Sequence, residues 1–199
     1  MIFEQDDHSF SLRATSLQNI EKLYSGLWLV LVAVHETPPH IALISDGNYY
    51  SLSARKVDNG TQGERFVHTI ERKHVPTIFI CIENNNIIAS PDSYRDEAIY
   101  ISATLQNMYK VIEPLKNTET TCLSPIKEFF ADCYSPQFLH VNYVFELLAI
   151  AEQQGLLKEC VSIFCDDSNS NLITLPKYTM GQIRNKIHEI TLQIPSINS

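Results

Sequence analysis

The chain has 199 residues, of which 44% are hydrophobic and 19% are charged, and its formal net charge is −8 at pH 7. These values are typical of a globular protein, and we expect a single domain over residues 1–199. The acidic balance argues against nucleic acid and against an anionic membrane surface as partners, because both attract basic faces. The longest apolar run, Leu27 to Val34, is much shorter than the roughly twenty residues that cross a bilayer. The acidic N-terminus differs from a signal peptide, so the sequence predicts a cytoplasmic location.

The first half of the chain contains mostly strand patterns. Residues 1–15 are polar and are expected to pack loosely. Apolar residues at helical spacing predict a helix from Ser16 that stops at Gly26. The continuous apolar run 27–34 predicts a strand buried on both faces. The remaining predicted elements are strands at 40–45 and 48–55, a loop at 58–63, a helix at 64–74, a strand at 77–82, a turn at 83–86 and a short strand at 87–90.

The second half of the chain changes to a helical period. The predicted elements are a helix from Asp92 or Ser93 to Tyr109, a linker at 116–120, a helix that starts at Thr121 or Ser124, a long helix at 136–154, a strand at 161–165, a loop at 166–171 and a last helix at 180–190. Thr179 and Gln182 have the spacing of a capping box for the last helix. This order favours an α+β fold, in which an antiparallel sheet from the first half packs against helices and the C-terminal half is mostly helical.

The most specific local signal is the Asp46-Gly47 pair between two apolar runs. Asp-Gly fits a type I′ turn, because both central residues of that turn need positive φ, and it predicts a two-stranded hairpin. With this pair in the turn, Ser45 lies opposite Asn48, and every later pair follows. One face then carries His40, Ala42, Tyr49, Ser51 and Ser53, and the other carries Ile41, Leu43, Tyr50 and Leu52. The second set is apolar and is expected to face the core, which leaves His40 on a small polar face.

The five cysteines show no pattern of a disulfide framework or a zinc site. They are odd in number, and Cys160 and Cys165, the closest pair, lack Cys-x-x-Cys spacing. We therefore expect mostly free thiols in a reducing compartment. The sequence also lacks a glycine-rich phosphate loop, a Gly-x-Ser-x-Gly elbow and a HExxH helix, so no cofactor and no metal is predicted.

Cys122 and His40 are the candidate catalytic residues. Cys122 lies at the start of a predicted helix, where free amides and the helix dipole favour the thiolate. A thiolate beside an imidazole is the minimal equipment for acyl transfer through a covalent thioester, and a backbone donor at the helix start can stabilise the oxyanion. The two residues are about eighty positions apart in the chain, and the sequence does not show whether they are close in space.

The hairpin sequence Pro39-His40-Ile41-Ala42-Leu43-Ile44, followed by Gly47 and Tyr50, resembles the histidine hairpin of the permuted NlpC/P60-type papain-like proteins. In those proteins the histidine strand comes first and the cysteine helix comes last, as His40 and Cys122 do over residues 27–135. The resemblance implies that Cys122 is the nucleophile and His40 its general base. It also implies a polar residue that orients the imidazole, and Ser53 has that position, although the family usually carries Asn, Gln, Glu or His there. The resemblance does not extend to residues 136–199, which are predicted to form a helical C-terminal extension.

The alternative hypothesis is a non-catalytic protein-interaction module. Aromatic residues are frequent over 129–145, and we expect most of them at the seam between helices, although an exposed set would mark a partner surface. His140, on the predicted long helix, is a rival base whose neighbours favour a packing role. The first hypothesis implies a small-molecule or peptide substrate, and the second implies a protein partner.

Overall fold

The computed structural model describes residues 5–6, 9–83, 97–115, 120–165 and 171–192. Its fold belongs to the α+β class, with strands and helices in both halves of the chain. The ten described strands are β1 (Gln5–Asp6), β2 (Ser9–Arg13), β3 (Thr15–Ser16), β4 (Leu27–Val32), β5 (His40–Ser45), β6 (Asn48–Leu52), β7 (Val57–Gln62), β8 (Thr77–Ile82), β9 (Leu157–Ile163) and β10 (Leu172–Pro176). The five described α-helices are α1 (Gly63–Lys73), α2 (Glu97–Val111), α3 (Ser124–Cys133), α4 (Val144–Gln153) and α5 (Met180–Leu192), and 3₁₀ helices cover Ile20–Tyr24 and Pro136–His140.

A seven-stranded sheet forms the centre of the fold. Its strand order is β3-β9-β8-β4-β5-β6-β7, and neighbours are antiparallel except for the parallel pair β3 and β9. A second antiparallel sheet has the order β1-β2-β10. The sequence thus correctly predicts a largely antiparallel sheet packed against helices.

Hydrophobic cores cover both faces of the central sheet. The larger core packs α2, α3, α4 and the small sheet against one face, and the smaller core packs α1 and the 3₁₀ helix 20–24 against the other. Strand β4 shows why both faces are closed, because Leu29 and Leu31 enter the larger core while Trp28 and Val30 enter the smaller one. This confirms the prediction of a strand buried on both faces.

The β5–β6 hairpin has the predicted turn. Asp46 and Gly47 have φ of 45° and 76°, the positive values of a type I′ turn. Ser45 pairs with Asn48 and Ile44 with Tyr49, as the register predicts. The apolar face lies in the larger core as expected. The opposite face is not open to solvent, because Ala42 and Tyr49 are buried on the side that α1 covers.

Three predictions for the first half need correction. The polar N-terminal stretch is not loose over its described part, because Phe10 and Leu12 in β2 are buried in the larger core. The predicted loop 58–63 is mainly the edge strand β7, since β6 offers an unpaired edge that outweighs the turn preference of Asp, Asn and Gly. The predicted helix from Ser16 shortens to the 3₁₀ helix 20–24, whose cap is Asn19.

The C-terminal half is less helical than predicted. Strands β9 and β10 occupy it, and β9 lies inside the central sheet between β3 and β8. The predicted helix 136–154 is two helices, because the Glu146 carboxylate accepts hydrogen bonds from the amides of Asn142 and Tyr143 and starts α4 there. The capping box of α5 is confirmed, with Thr179 and Gln182 bonded reciprocally.

Several predicted features lie outside the described residues: most of the turn at 83–86, the short strand at 87–90, the start of the helix at Asp92 or Ser93, most of the linker at 116–120 and most of the loop at 166–171. Among the described helices, none has both the length and the apolar character that a bilayer crossing requires.

Candidate thiol–imidazole site

Cys122 lies in the tight turn that leads into α3. The Thr121 amide donates to Ser124 Oγ at 3.0 Å, and the Leu123 amide donates to Thr121 Oγ1 at 3.3 Å. Thr121 and Ser124, the two predicted helix starts, therefore both accept hydrogen bonds in this turn. Together they hold the backbone on both sides of Cys122. The cysteine side chain is partly buried against the larger core.

Backbone amides lie close to the Cys122 sulfur. The N–H groups of Ile41, Cys122 and Leu123 favour the thiolate and act to lower the pKa of the thiol. Burial acts in the opposite direction and is the larger effect, so the pKa of the Cys122 thiol is raised above its ordinary value. Cys122 is consequently a neutral thiol at pH 7. The nearby amides stabilise the sulfur most strongly when it carries negative charge.

His40 is the first residue of β5 and is directly adjacent in the chain to Ile41, whose amide acts to lower the pKa of Cys122. Its Nε2 lies 2.8 Å from the Ser51 hydroxyl. Ser51, which is buried, also hydrogen-bonds Tyr49. A chain in which Nε2–H donates to Ser51 and Ser51 donates to Tyr49 leaves Nδ1 of the ring as the proton acceptor.

The imidazole of His40 is neutral at physiological pH. Burial lowers the pKa of His40 to about 4, and the negative charge of Asp58 opposes that shift only in part. Asp58 is itself buried on β7, and its carboxylate accepts a hydrogen bond from Lys56 Nζ at 2.9 Å. The ring therefore has a nearby carboxylate that would stabilise an imidazolium if one formed.

Ser53, the predicted orienting residue, is used in a turn. Its hydroxyl donates to the Lys56 carbonyl at 2.9 Å and accepts from the amides of Arg55 and Lys56 at 3.3 and 3.1 Å. The hydroxyl that contacts the imidazole belongs to Ser51 instead, one step along the same face. In an antiparallel pair the diagonal neighbour is within reach of a long side chain, and this rule could have identified Ser51 from the register.

A single apolar cavity of about 220 Å³ has Cys122, His40 and Ser53 in its wall. Cys122 packs against the larger core, whereas His40 hydrogen-bonds Ser51 on the face of the sheet that α1 covers. His40 and Ser53 also border a second cavity of about 490 Å³, and Asp58 and Arg65 are among its other lining residues. The candidate residues thus share one cavity, although the chain separates His40 from Cys122.

The other candidates do not join this cavity. His140 is exposed at the end of the 3₁₀ helix 136–140. Most aromatic residues of the 129–145 stretch are in the core, as predicted, among them Phe129, Phe130 and Phe138. Within the described parts of the chain, no three side chains of the metal-binding types form a group that could hold an ion.

Comparisons of the chain with protein-family models, with curated proteins and with solved structures each gave no match. The function proposed below therefore depends on the geometry of the cavity and its residues.

Proposed function

We propose that the protein is a thiol hydrolase or acyltransferase that acts on an amide or thioester, with Cys122 as nucleophile and His40 as general base. The observation that carries the proposal is that both side chains line one cavity, with backbone amides close to the sulfur. The resemblance of the hairpin to papain-like proteins supports the same two roles.

The first half of the proposed reaction forms an acyl-enzyme. The His40 ring takes the thiol proton at Nδ1 as the Cys122 sulfur adds to the substrate carbonyl carbon. The Ile41 and Leu123 amides beside the sulfur are suited to stabilise the oxyanion. When the intermediate collapses, the bond to the leaving group breaks and the imidazolium returns its proton to that group. The product of this half is a thioester on Cys122.

The second half regenerates the thiol. His40 takes a proton from water, or from an acceptor molecule, which attacks the thioester carbonyl. The bond to sulfur then breaks, and the proton on His40 passes to Cys122. The proposed reaction starts from a neutral Cys122 thiol and a neutral His40 imidazole, because His40 must be unprotonated to act as a base.

The test is acylation of the full chain by S-(4-nitrophenyl) thiobutyrate, followed by release of the nitrothiophenolate and by mass spectrometry of the acid-quenched protein. We expect one butyryl group, on Cys122, with loss of turnover in Cys122→Ala and at least a hundredfold lower rate in His40→Ala. Cys81→Ala is the matched control, because Cys81 is also a partly buried free cysteine but is not in the cavity wall. Acylation that persists in Cys122→Ala, or its absence from the unmodified protein, would overturn the proposal.

The non-catalytic interaction module has less support. Its surface was to come from aromatic residues over 129–145, and the buried Phe129, Phe130 and Phe138 are instead part of the core. A folded Cys122→Ala protein that retains full biological function would return the interaction module as the better hypothesis.

A further inference from the structure

The cavity beside Cys122 has a mostly apolar wall. Residues that close it include Pro38, Pro39, Leu52, Leu115, Ile183 and Ile187. Such a lining disfavours a charged or strongly polar group, because a polar group buried without a hydrogen-bond partner loses its hydration. The wall therefore selects the hydrocarbon part of a substrate.

Helix α5 supplies the outer wall of this cavity. Ile183, Ile187 and Ile190 follow the i, i+4, i+7 spacing of one helix face, and all three border the cavity. Ile183 is buried, whereas Ile187 and Ile190 are only partly buried, so their apolar surface is not fully covered by the protein itself. This face therefore has apolar surface left for a bound ligand to cover.

Charged side chains also line the cavity. Lys186 on α5 and Glu36 form an ion pair with a nitrogen–oxygen distance of 2.6 Å, and their side chains are 35% and 54% exposed. This exposure marks the side of the cavity that solvent reaches. A substrate with an apolar end beside Cys122 and a polar end at this pair matches the polarity of the cavity.

The volume limits the size of the occupant. A cavity of about 150 Å³ lined by Leu, Ile and Phe binds benzene, which has six carbon atoms. By the same ratio, the 220 Å³ here holds roughly nine carbon atoms. We propose that this cavity takes the acyl group of a medium-chain acyl thioester or amide, with the carbonyl at Cys122 and up to about nine carbons among the isoleucines of α5. This inference rests on the proposed function, since it names the substrate class of the same site.

The kinetic test uses S-(4-nitrophenyl) thioesters of acetic, butyric, hexanoic, octanoic and dodecanoic acid, which share one leaving group. Each buried methylene should raise kcat/KM about fourfold, so the octanoyl ester should exceed the butyryl ester by about two orders of magnitude. The dodecanoyl ester exceeds the cavity and should bring no further gain. A flat series, or one that continues to rise to dodecanoyl, would overturn the assignment.

Two variants of α5 locate the effect. Ile187→Trp fills the cavity and should abolish the gain in kcat/KM with chain length. His188→Trp is the matched control, because His188 is exposed on the same helix and should leave the whole series unchanged. Equal effects of the two substitutions would refute the role of the cavity.

A binding measurement separates failure of this inference from failure of the proposed function. Calorimetry with hexanamide and Cys122→Ala should detect binding, and adding Ile187→Trp should weaken that binding at least tenfold. Equal binding of hexanamide to the two folded proteins overturns the acyl cavity. Undetectable binding to Cys122→Ala also overturns it, and this result does not depend on whether the Ile187→Trp variant folds. Hexanamide binding together with no acylation of Cys122 by any thioester overturns the proposed function and leaves the apolar site.

Discussion

Acidification should destabilise the fold through His40. Burial lowers the pKa of this side chain to about 4 in the folded protein, whereas an unfolded histidine has a pKa of about 6.5. As the pH falls, the unfolded chain therefore binds a proton at His40 before the folded protein does. The free energy of unfolding accordingly decreases as the pH falls from 6.5 towards 4, and it is highest above that window.

The size of the effect follows from the two pKa values. The slope reaches about 1.4 kcal/mol per pH unit inside the window, and the change between pH 7 and pH 4.5 is about 2 kcal/mol. This figure is an upper one, because the side chain is partly exposed and water reaches part of the ring. A loss of this size is a substantial fraction of the stability of a typical domain.

The assay is urea unfolding of the wild type and of His40→Gln at pH 7 and pH 4.5. Glutamine retains a hydrogen-bonding group near Ser51 and does not titrate, so carboxylate titration common to both proteins cancels in the comparison. The wild type should lose up to about 2 kcal/mol more than His40→Gln on acidification. Nitrogen-detected NMR of the His40 ring should place its pKa near 4. Parallel stability profiles, or a ring pKa near 6.5, would refute the reasoning.

The other predictions concern single side chains. Ser51→Ala removes the partner of His40 Nε2 and should lower the free energy of urea unfolding by about 1–2 kcal/mol. It should also shift the NMR resonances of the His40 ring nitrogens, whereas the control Ser53→Ala should leave those resonances in place. Tyr109→Phe removes a buried hydroxyl that has no partner among the described residues. It should raise the free energy of urea unfolding by about 1 kcal/mol, and a lower free energy of unfolding would contradict this. Gly63→Ala places a Cβ 2.9 Å from a carbonyl oxygen of the hairpin turn and should cost about 1–3 kcal/mol in thermal or urea unfolding, so an unchanged stability would show that the turn can move aside.

The sequence predicts structure best where a local rule acts alone. The Asp46-Gly47 turn sets its own geometry, so the register of β5 and β6 near the turn is readable from residue types. The run 27–34 is similarly clear, because only a strand between two cores suits such continuous apolar sequence. The α5 capping box is a third case, since its two partners are three residues apart.

Prediction fails where a distant segment decides. Strand β7 has the composition of a loop and becomes a strand only because β6 offers hydrogen-bonding partners. The break before α4 depends on where the Glu146 carboxylate binds, and helical spacing continues across it. For the site, the sequence predicts His40 and Cys122 as candidates, but the cavity that they share needs α5, which is about sixty residues further along the chain. Ser51 was readable as a face neighbour, although its bond to His40 was not.

The pairing of β8 with β9 has a consequence for synthesis on the ribosome. Strand β8 is flanked by β4 on one side and by β9 on the other, and β9 ends at Ile163. A nascent chain that has emerged only as far as β8 therefore presents an apolar strand with one unpaired edge for about eighty further residues. Such an edge can pair with another chain, so we expect translation of this interval to be the period in which a chaperone matters most.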